Sequence, residues 1–400
     1  MPPLTLDEAQ ARVLARVRPL QTETVSVVEA AGRVTAAVVR AAVDLPPFAS
    51  SAMDGFAVRA GDLPGTLPIV ARIPAGRPAA RPLAAREAMA ISTGGVVPDG
   101  ADAVVPVEDA VVQTDNSIEV AHAVARGAHV RPRGGDVAAG EVVVEAGVRV
   151  GAPQLGALAA AGVAALPCVR RPRVAVLTTG SELARVGEPL APGQVYESNG
   201  LMLAVALAAV GAEVEALPAV ADDESAHREA LARGLAADVL VTSGGVSVGA
   251  HDLVRRIEAE LGVEEVFWQV AVKPGKPVSF GVHGATLVFG LPGNPVSSLV
   301  GCELLVKPAL RALQGLREPL PRFEAGRLAS PLRRGEGRDE LVRARSHPGP
   351  EGTVLEPLSG QESHMIVRAA AADALVLVPR GMGELAAGAL VSWLRLGPEL

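Results

Sequence analysis

Aromatic residues are nearly absent, at 2% of 400 residues. A core built on stacked rings is therefore excluded, and packing has to rest on Ala, Val and Leu. Cysteine is scarce as well. Cys168 and Cys302 are the two present, and neither lies in a C-x-x-C spacing, which excludes a disulfide scaffold and a structural zinc cluster and fits a reducing compartment. There is no basic surplus. A formal net charge of -7 argues against a general polyanion binder, so no nucleic-acid partner is expected and any anion site must be local. No uninterrupted apolar run reaches the roughly 18 residues of a membrane span. The start, MPPLTLDEAQARVLARVRPL, alternates charged and apolar residues with helical period and does not form a signal peptide. A cytoplasmic protein with no membrane partner is expected.

Lysine is the last scarcity: Lys273, Lys276 and Lys307 are three of 37 basic residues. Arginine serves nearly everywhere else. Because an ammonium is a compact point charge and a guanidinium a broad planar fork, two lysines within KPGK point to a cramped site.

The 400 residues predict two to four domains, and 49% hydrophobic content suffices to fill their cores. Residues 6–17 have helical spacing, with Thr5 as the N-cap. From 45 to about 150, short β-prone runs (IVARI, VVPVEDAVVQ, SIEVAH, EVVVEAG) separated by Gly and Pro predict one or two small β-rich domains. GAPQLGALAAAGVAAL, 151–166, predicts an Ala-rich helix, and VRRPR a boundary. From 173 the pattern alternates strand and helix (VAVLTTG, LMLAVALAAVGA, VEALPAV, ESAHREALARGLA, DVLVTSGG, DLVRRIEAELG, EVFWQVAV, ATLVFGLPG), which predicts a mostly parallel sheet flanked by helices with ligands at the strand carboxyl ends. After about 319, DELVRARS, TVLEPL, ALVLVP and ALVSWLRL predict a small C-terminal β domain.

Three glycine loops follow apolar strands: TTGSEL at 178–183, TSGGVSVGAHD at 242–252 and GLPGNPVSS at 290–298. Glycine permits close backbone approach there, and free N–H groups at a helix start favour an anion. Ser243, Ser247, Ser297 and Ser298 add hydroxyls. Each loop singly is also an ordinary turn, but three in strand order favour a shared anion site, such as a phosphate-bearing small molecule. None matches the G-x-x-x-x-G-K-[ST] phosphate loop or a full G-x-G-x-x-G. KPGKP at 273–277 places two ammonium groups on a Pro-stiffened turn able to grip an oxyanion, or simply a solvated basic turn. Glu182, Asp223, Asp252, Asp54 and Asp136 are hard oxygen donors of the kind Mg²⁺ takes together with substrate phosphate, though any one alone is more often a surface acid or N-cap, and Asp222 and Asp223 suit the start of the helix that follows. His251 and His364 are polar loop positions without zinc spacing, so no zinc site is assigned.

In one order along nearly the whole chain stand SSAMDGFAV, STGGVVPDGADAVVPVED, GGDV, LTTGSEL, YESNG, TSGGVSVGAHD, KPGKPVSFG and GLPGNPVSS. Together they resemble the molybdopterin molybdenumtransferase family, MoeA and the related gephyrin E domain. The resemblance implies a multidomain α/β plus β fold: a central three-layer α/β/α domain with a mostly parallel sheet, a β-rich N-terminal part and a small C-terminal β-barrel-like domain. It implies residues 1–41 with 139–170 as an N-terminal helical/β dimerisation domain, 42–138 as an inserted β-rich domain, 171–316 as the molybdopterin-binding domain and 317–400 as the C-terminal β domain. The implied activity is insertion of molybdenum from molybdate into adenylylated molybdopterin with release of AMP, by a Mg²⁺-dependent homodimer whose cleft the other subunit's β-rich domain completes. Further implied partners are the adenylyltransferase that delivers molybdopterin and the proteins that accept the cofactor. Carried over by position, Asp54, Thr93, Asp136, Glu182, Asp223, Asp252, Lys273 and Lys276 form the catalytic set, with Glu182, Asp223 and Asp252 at the metal. Ser243, Gly244, Gly245, Ser247, Gly249, Pro292, Gly293, Asn294, Pro295, Ser297, Arg343 and Ser363 bind substrate. Gln269 departs from relatives that carry Lys there, which removes one positive charge. Two other readings are an enzyme like the molybdopterin adenylyltransferase, which consumes ATP, and a non-catalytic molybdopterin-binding scaffold.

Overall fold

A computed structural model describes residues 3–221, 223–245 and 253–397. The chain divides into two compact units, one of residues 24–168 and one of residues 1–23 with 169–400. Ser247, Gly249, His251 and Asp252 lie outside the described residues, as does Asp222.

Helix α1 (Leu6–Arg16) starts as its sequence requires: Thr5 Oγ1 accepts from the Glu8 amide and the Glu8 carboxylate accepts from the Thr5 amide, a closed capping box. Its buried Leu6, Ala9 and Val13 join the core of the α/β domain, and the first division between the two units falls after Glu23.

In the unit of residues 24–168, a six-stranded mixed sheet runs in the order Ala103–Pro106, Gly55–Val58, Ala88–Ile91, Gly65–Ile73, Ser117–Val120, Val111–Val112. Successive side chains alternate between faces: Phe56, Val58 and Val105 enter one core, Ala57 and Val104 the other. The helix expected over 151–166 spans only Ala152–Ala160. Gly162 at φ 76° turns the chain, and Ala165–Val169 is a strand paired in a three-stranded sheet, where alternating burial outweighs the helical preference of alanine.

The α/β domain begins with β1 (Arg173–Thr178) and continues through α2 (Asn199–Ala208), β2 (Glu213–Ala216), α3 (Glu224–Gly234), β3 (Val239–Ser243), α4 (Leu253–Glu260), β4 (Glu264–Trp268), β5 (Ser279–His283), β6 (Thr286–Leu291) and α5 (Pro295–Gly301). The sheet order is β2-β1-β3-β6-β5-β4, parallel through β6 and antiparallel at β5 and β4. The parallel part was expected; the β5–β6 hairpin, hidden in the lysine motif's tail, was not. Val174, Val176, Val239 and Val241 face one core with Leu203 and Leu207 of α2, while Ala175, Leu177 and Leu240 face a second with Leu231 of α3 and Ile257 of α4. That is the three-layer arrangement. Three of the six phenylalanines are concentrated here, with Phe280 4.9 Å from Phe289 and 5.6 Å from Phe267. Beyond α5 the helix widens into a π turn, Cys302–Val306, where Gln10 of α1 donates to the Leu304 carbonyl and Lys307 forms a buried 2.6 Å pair with Glu303.

EVFWQVAV was expected to be one strand, but Gln269 at φ 81° breaks it. Residues before the break belong to β4; Val272–Lys273 pairs instead with the C-terminal domain. That domain is a closed five-stranded barrel of β7 (Glu324–Leu328), β8 (Asp339–Gly349), β9 (Gly352–Pro357), β10 (Ala374–Val378) and β11 (Leu390–Arg395), in the ring order β8-β9-β7-β11-β10 with β10 returning to β8. Fully buried Trp393 fills its interior beside Leu355 and Val376. Among the described residues no helix is long and apolar enough to cross a membrane.

Arg170 grips Asp238, just ahead of β3, with two hydrogen bonds of 2.7 Å, and the Arg173 amide adds a third of 2.8 Å. Burial alone would raise the Asp238 pKa, but the Arg170 and Arg173 bonds outweigh it and hold the carboxyl below its ordinary value. A depressed carboxyl stabilises the fold above its unfolded pKa of about 3.9, and the contribution is lost as pH falls through the folded value. Asp238→Asn should therefore lower the denaturant midpoint at pH 7, with the gap to the parent closing below about pH 4. A gap independent of pH would refute this account.

Candidate functional site

Strands β1, β3 and β6 end at the same edge, and their loops are laced together there. The Thr179 amide donates to the Ser243 carbonyl at 3.1 Å and the Gly244 amide to the Leu291 carbonyl at 3.1 Å. From the start of α2, Asn199 Nδ2 donates to Ser243 Oγ at 3.0 Å and to the Gly293 carbonyl at 2.7 Å. Ser298 Oγ donates to the Pro292 carbonyl and lies 3.0 Å from Ser243 Oγ. Closeness demands glycine: a Cβ at Gly244 would stand 2.4 Å from the Thr179 carbonyl oxygen, and one at Gly245 2.5 Å from a Val254 methyl.

These loops surround a cavity of about 730 Å³, a size that suits a small molecule. Its wall carries Glu182, Ser243, Gly244, Gly245, Pro292, Gly293, Asn294 and Pro295, all anticipated from the glycine loops. Sequence reasoning missed several others. Thr178 ends β1 and Thr179 follows it, both within TTGSEL but without an assigned role, while Tyr196, Glu197, Ser198 and Asn199 come from YESNG, a string noted as a motif but given no role. Pro277 of the lysine turn, His364 and Ile366 complete the wall. The Glu197 carboxylate accepts from the Gly200 amide at 2.7 Å, and the Glu182 carboxylate folds over Gly180.

Other expected residues lie around this wall. Ser297 is buried, and Ser363 accepts from Asn294 Nδ2 at 2.9 Å while its carbonyl accepts from the Val296 amide, so it pins the 358–365 loop to α5. Arg343 is 1% exposed and does not line the cavity. Its guanidinium donates to the carbonyls of Gly360, Glu362 and Met365 and to the Gln361 side chain, which makes it the support beneath that loop. Burial lowers its pKa, with Glu362 opposing. Lys273 and Lys276 also stand off the wall, although Gly275 between them packs against the Ser297 carbonyl. In the other unit, Asp54 and Thr93 meet through a 2.8 Å bond from the Thr93 amide to Asp54 Oδ1, and Asp136 is exposed.

Among the described residues no three His, Cys, Asp or Glu groups gather into a preformed metal cage. Asp223 Oδ1 caps α3 by accepting from the Ala226 amide at 2.8 Å and does not line the cavity, whereas Glu182 does. One or two carboxylates near a phosphate-sized space is the donor set of a Mg²⁺ that keeps several waters and takes remaining ligands from substrate phosphate.

Fold and site together define a multidomain α/β protein that holds a small polar ligand at the carboxyl edge of a parallel sheet. Three family models match: "MoeA N-terminal region (domain I and II)" over residues 4–162, "Probable molybdopterin binding domain" over 175–312 and "MoeA C-terminal region (domain IV)" over 325–396. The Mycobacterium tuberculosis protein "Molybdopterin molybdenumtransferase 2" is 39% identical over 400 residues, covering 96% of this chain and 97% of the relative. A Haemophilus influenzae "Molybdopterin molybdenumtransferase" is 34% identical over 396 residues, covering 97% and 98%. The crystal structure of a molybdopterin biosynthesis MoeA protein from Pyrococcus horikoshii superposes with a TM-score of 0.85 at 27% identity, covering 98% of this chain and all of that one. The chain belongs to the molybdopterin molybdenumtransferase (MoeA) family.

Two substitutions separate support from contact. Asn199→Ala removes both loop-lacing bonds and should cost about 1–3 kcal/mol of stability, with weaker ligand binding in isothermal titration. Arg343→Lys keeps the charge but cannot reach all its carbonyls; a loss of about 2–4 kcal/mol in chemical denaturation is expected. Parent-like stability in that variant would mean the guanidinium is not the loop's support.

Proposed function

We propose that this chain is the enzyme that inserts molybdenum into molybdopterin, taking adenylylated molybdopterin and molybdate and releasing AMP. The observation that carries this reading is the cavity at the β1, β3 and β6 ends, whose wall combines backbone amides and carbonyls, hydroxyls and the Glu182 carboxylate in a chain that is family-like from residue 4 to 396. Oriented loops suit a ligand that bears both phosphate and a polar bicyclic ring. Asn199, Ser243 and Ser298 hold the described part of the cavity wall in place before ligand arrives. Glu182, with Asp223 and Asp252, would hold Mg²⁺ on the pyrophosphate, where the metal supplies Lewis acidity for phosphoanhydride cleavage. The KPGKP turn that carries Lys273 and Lys276 supplies positive charge to the oxyanion. Neither cysteine acts as a nucleophile: Cys302 is fully buried and its thiol pKa is pushed far up by burial, and Cys168 is buried too. The working unit is a homodimer in the cytoplasm, supplied by the adenylyltransferase and discharging to cofactor-accepting proteins.

Single-turnover mixing of the protein with adenylylated molybdopterin, Mg²⁺ and molybdate should release AMP in a molybdate-dependent burst, followed by chromatography. Glu182→Gln should slow that burst about a hundredfold or more, the scale of a lost charge-positioning group. ATP mixed with unmodified molybdopterin should remain unconsumed. An absence of molybdate-dependent AMP from the parent protein would refute the assignment.

A further inference from the structure

The two lysines of the KPGKP turn differ in their partners. Lys273 Nζ lies 3.0 Å from Glu340 Oε1, with the lysine side chain 52% exposed and the carboxylate side chain 21% exposed. The pairing is set by backbone: Val272–Lys273 runs parallel to the start of β8, with Lys273 opposite Glu340. The same oxygen abuts Gly335, where an added Cβ would stand 2.9 Å from Oε1. Neighbouring Asp339 is engaged elsewhere, accepting from the Arg380 amide at 2.8 Å. Lys276, half-buried, has no carboxylate partner among the described residues, and its carbonyl accepts from the Val270 and Val278 amides at 3.0 Å each, which fixes where its side chain starts. From Lys276 the chain passes directly to Pro277 at the cavity wall.

We propose that Glu340 is a positioning residue for oxyanion binding: it holds Lys273 as a charge-compensated pair tied to the barrel, so that the turn offers a substrate anion one net positive charge, on Lys276. An ammonium 3.0 Å from a carboxylate acts on a third group as a dipole, whose field falls off faster than that of a single charge. Glu340 thereby sets the turn's pull on a dianion such as molybdate, and limits it. This inference rests on the proposed function, since it presumes that an oxyanion enters the cavity.

The test is the molybdate KM for AMP release at saturating adenylylated molybdopterin and low ionic strength. Glu340→Gln frees Lys273 and should lower that KM about three- to tenfold, with kcat changed much less, because a half-exposed charge acts through partly screened water. Raising salt to about 0.5 M should erase most of the gain, the Debye length then being only several ångströms. Glu340→Asp, still acidic, should stay near the parent KM, and Lys273→Met combined with Glu340→Gln should lose the gain. Glu340→Met, lacking the amide's hydrogen-bonding capacity, is the second neutral variant and has to move KM in the same direction. Folded neutral variants whose molybdate KM is unchanged or higher overturn the inference while the parent's turnover leaves the functional reading intact. A parent without molybdate-dependent AMP release overturns that reading instead.

Discussion

Along β1 and β3, valines and their neighbours alternate so that successive side chains enter different cores, and both faces of these strands are covered by helices. A strand buried on both faces has no solvated side on which to place polar groups; these collect where the strands stop. At that edge the backbone must turn within a few residues, and the turns have to pack against one another. Glycine at 244 and 245, the Asn199 amide and the two hydroxyls of Ser243 and Ser298 answer this single packing problem. The cavity is its by-product, and the ligand site follows from it.

The scarcity of lysine acquires a structural meaning in the same terms. Lys307 occupies a buried pair with Glu303 in the π turn, Lys273 faces Glu340 across a strand pairing, and Lys276 is held half-buried next to the cavity wall. Lys307 and Lys273 each answer one carboxylate, for which a single compact ammonium suffices. Arg343 shows the reverse case: a buried fork is useful where several carbonyls converge, as they do in the 358–365 loop. Which cation stands at each position is therefore a matter of how many acceptors surround it.

The two-domain character of the second unit is visible in one short stretch. Gln269 at positive φ ends β4, and three residues later the same chain forms a strand with β8 of the barrel. The lysine turn thus hangs between the parallel sheet and the barrel, with Pro277 facing the cavity and Lys273 facing Glu340. Contact between the C-terminal part and the elements around the cavity runs through this connection and through Ser363 on Asn294.

Local chemistry was legible in the amino-acid order. The N-cap at Thr5, the alternation of strand and helix after residue 173, the described glycines at strand ends and the β-prone tail depend on interactions between near neighbours, and each appears where its spacing placed it. Family resemblance added the ligand class, because its strings lie in one order over nearly the whole chain. What the order of residues did not disclose depends on partners far away in sequence: that Ala165–Val169 is a strand, that Arg343 serves a loop about twenty residues on, that Asn199 reaches Ser243 and Gly293, and that Lys273 is balanced by Glu340. Propensity and motif are properties of a segment; burial, hydrogen-bond closure and charge compensation are properties of the contacts a segment makes after the chain has folded.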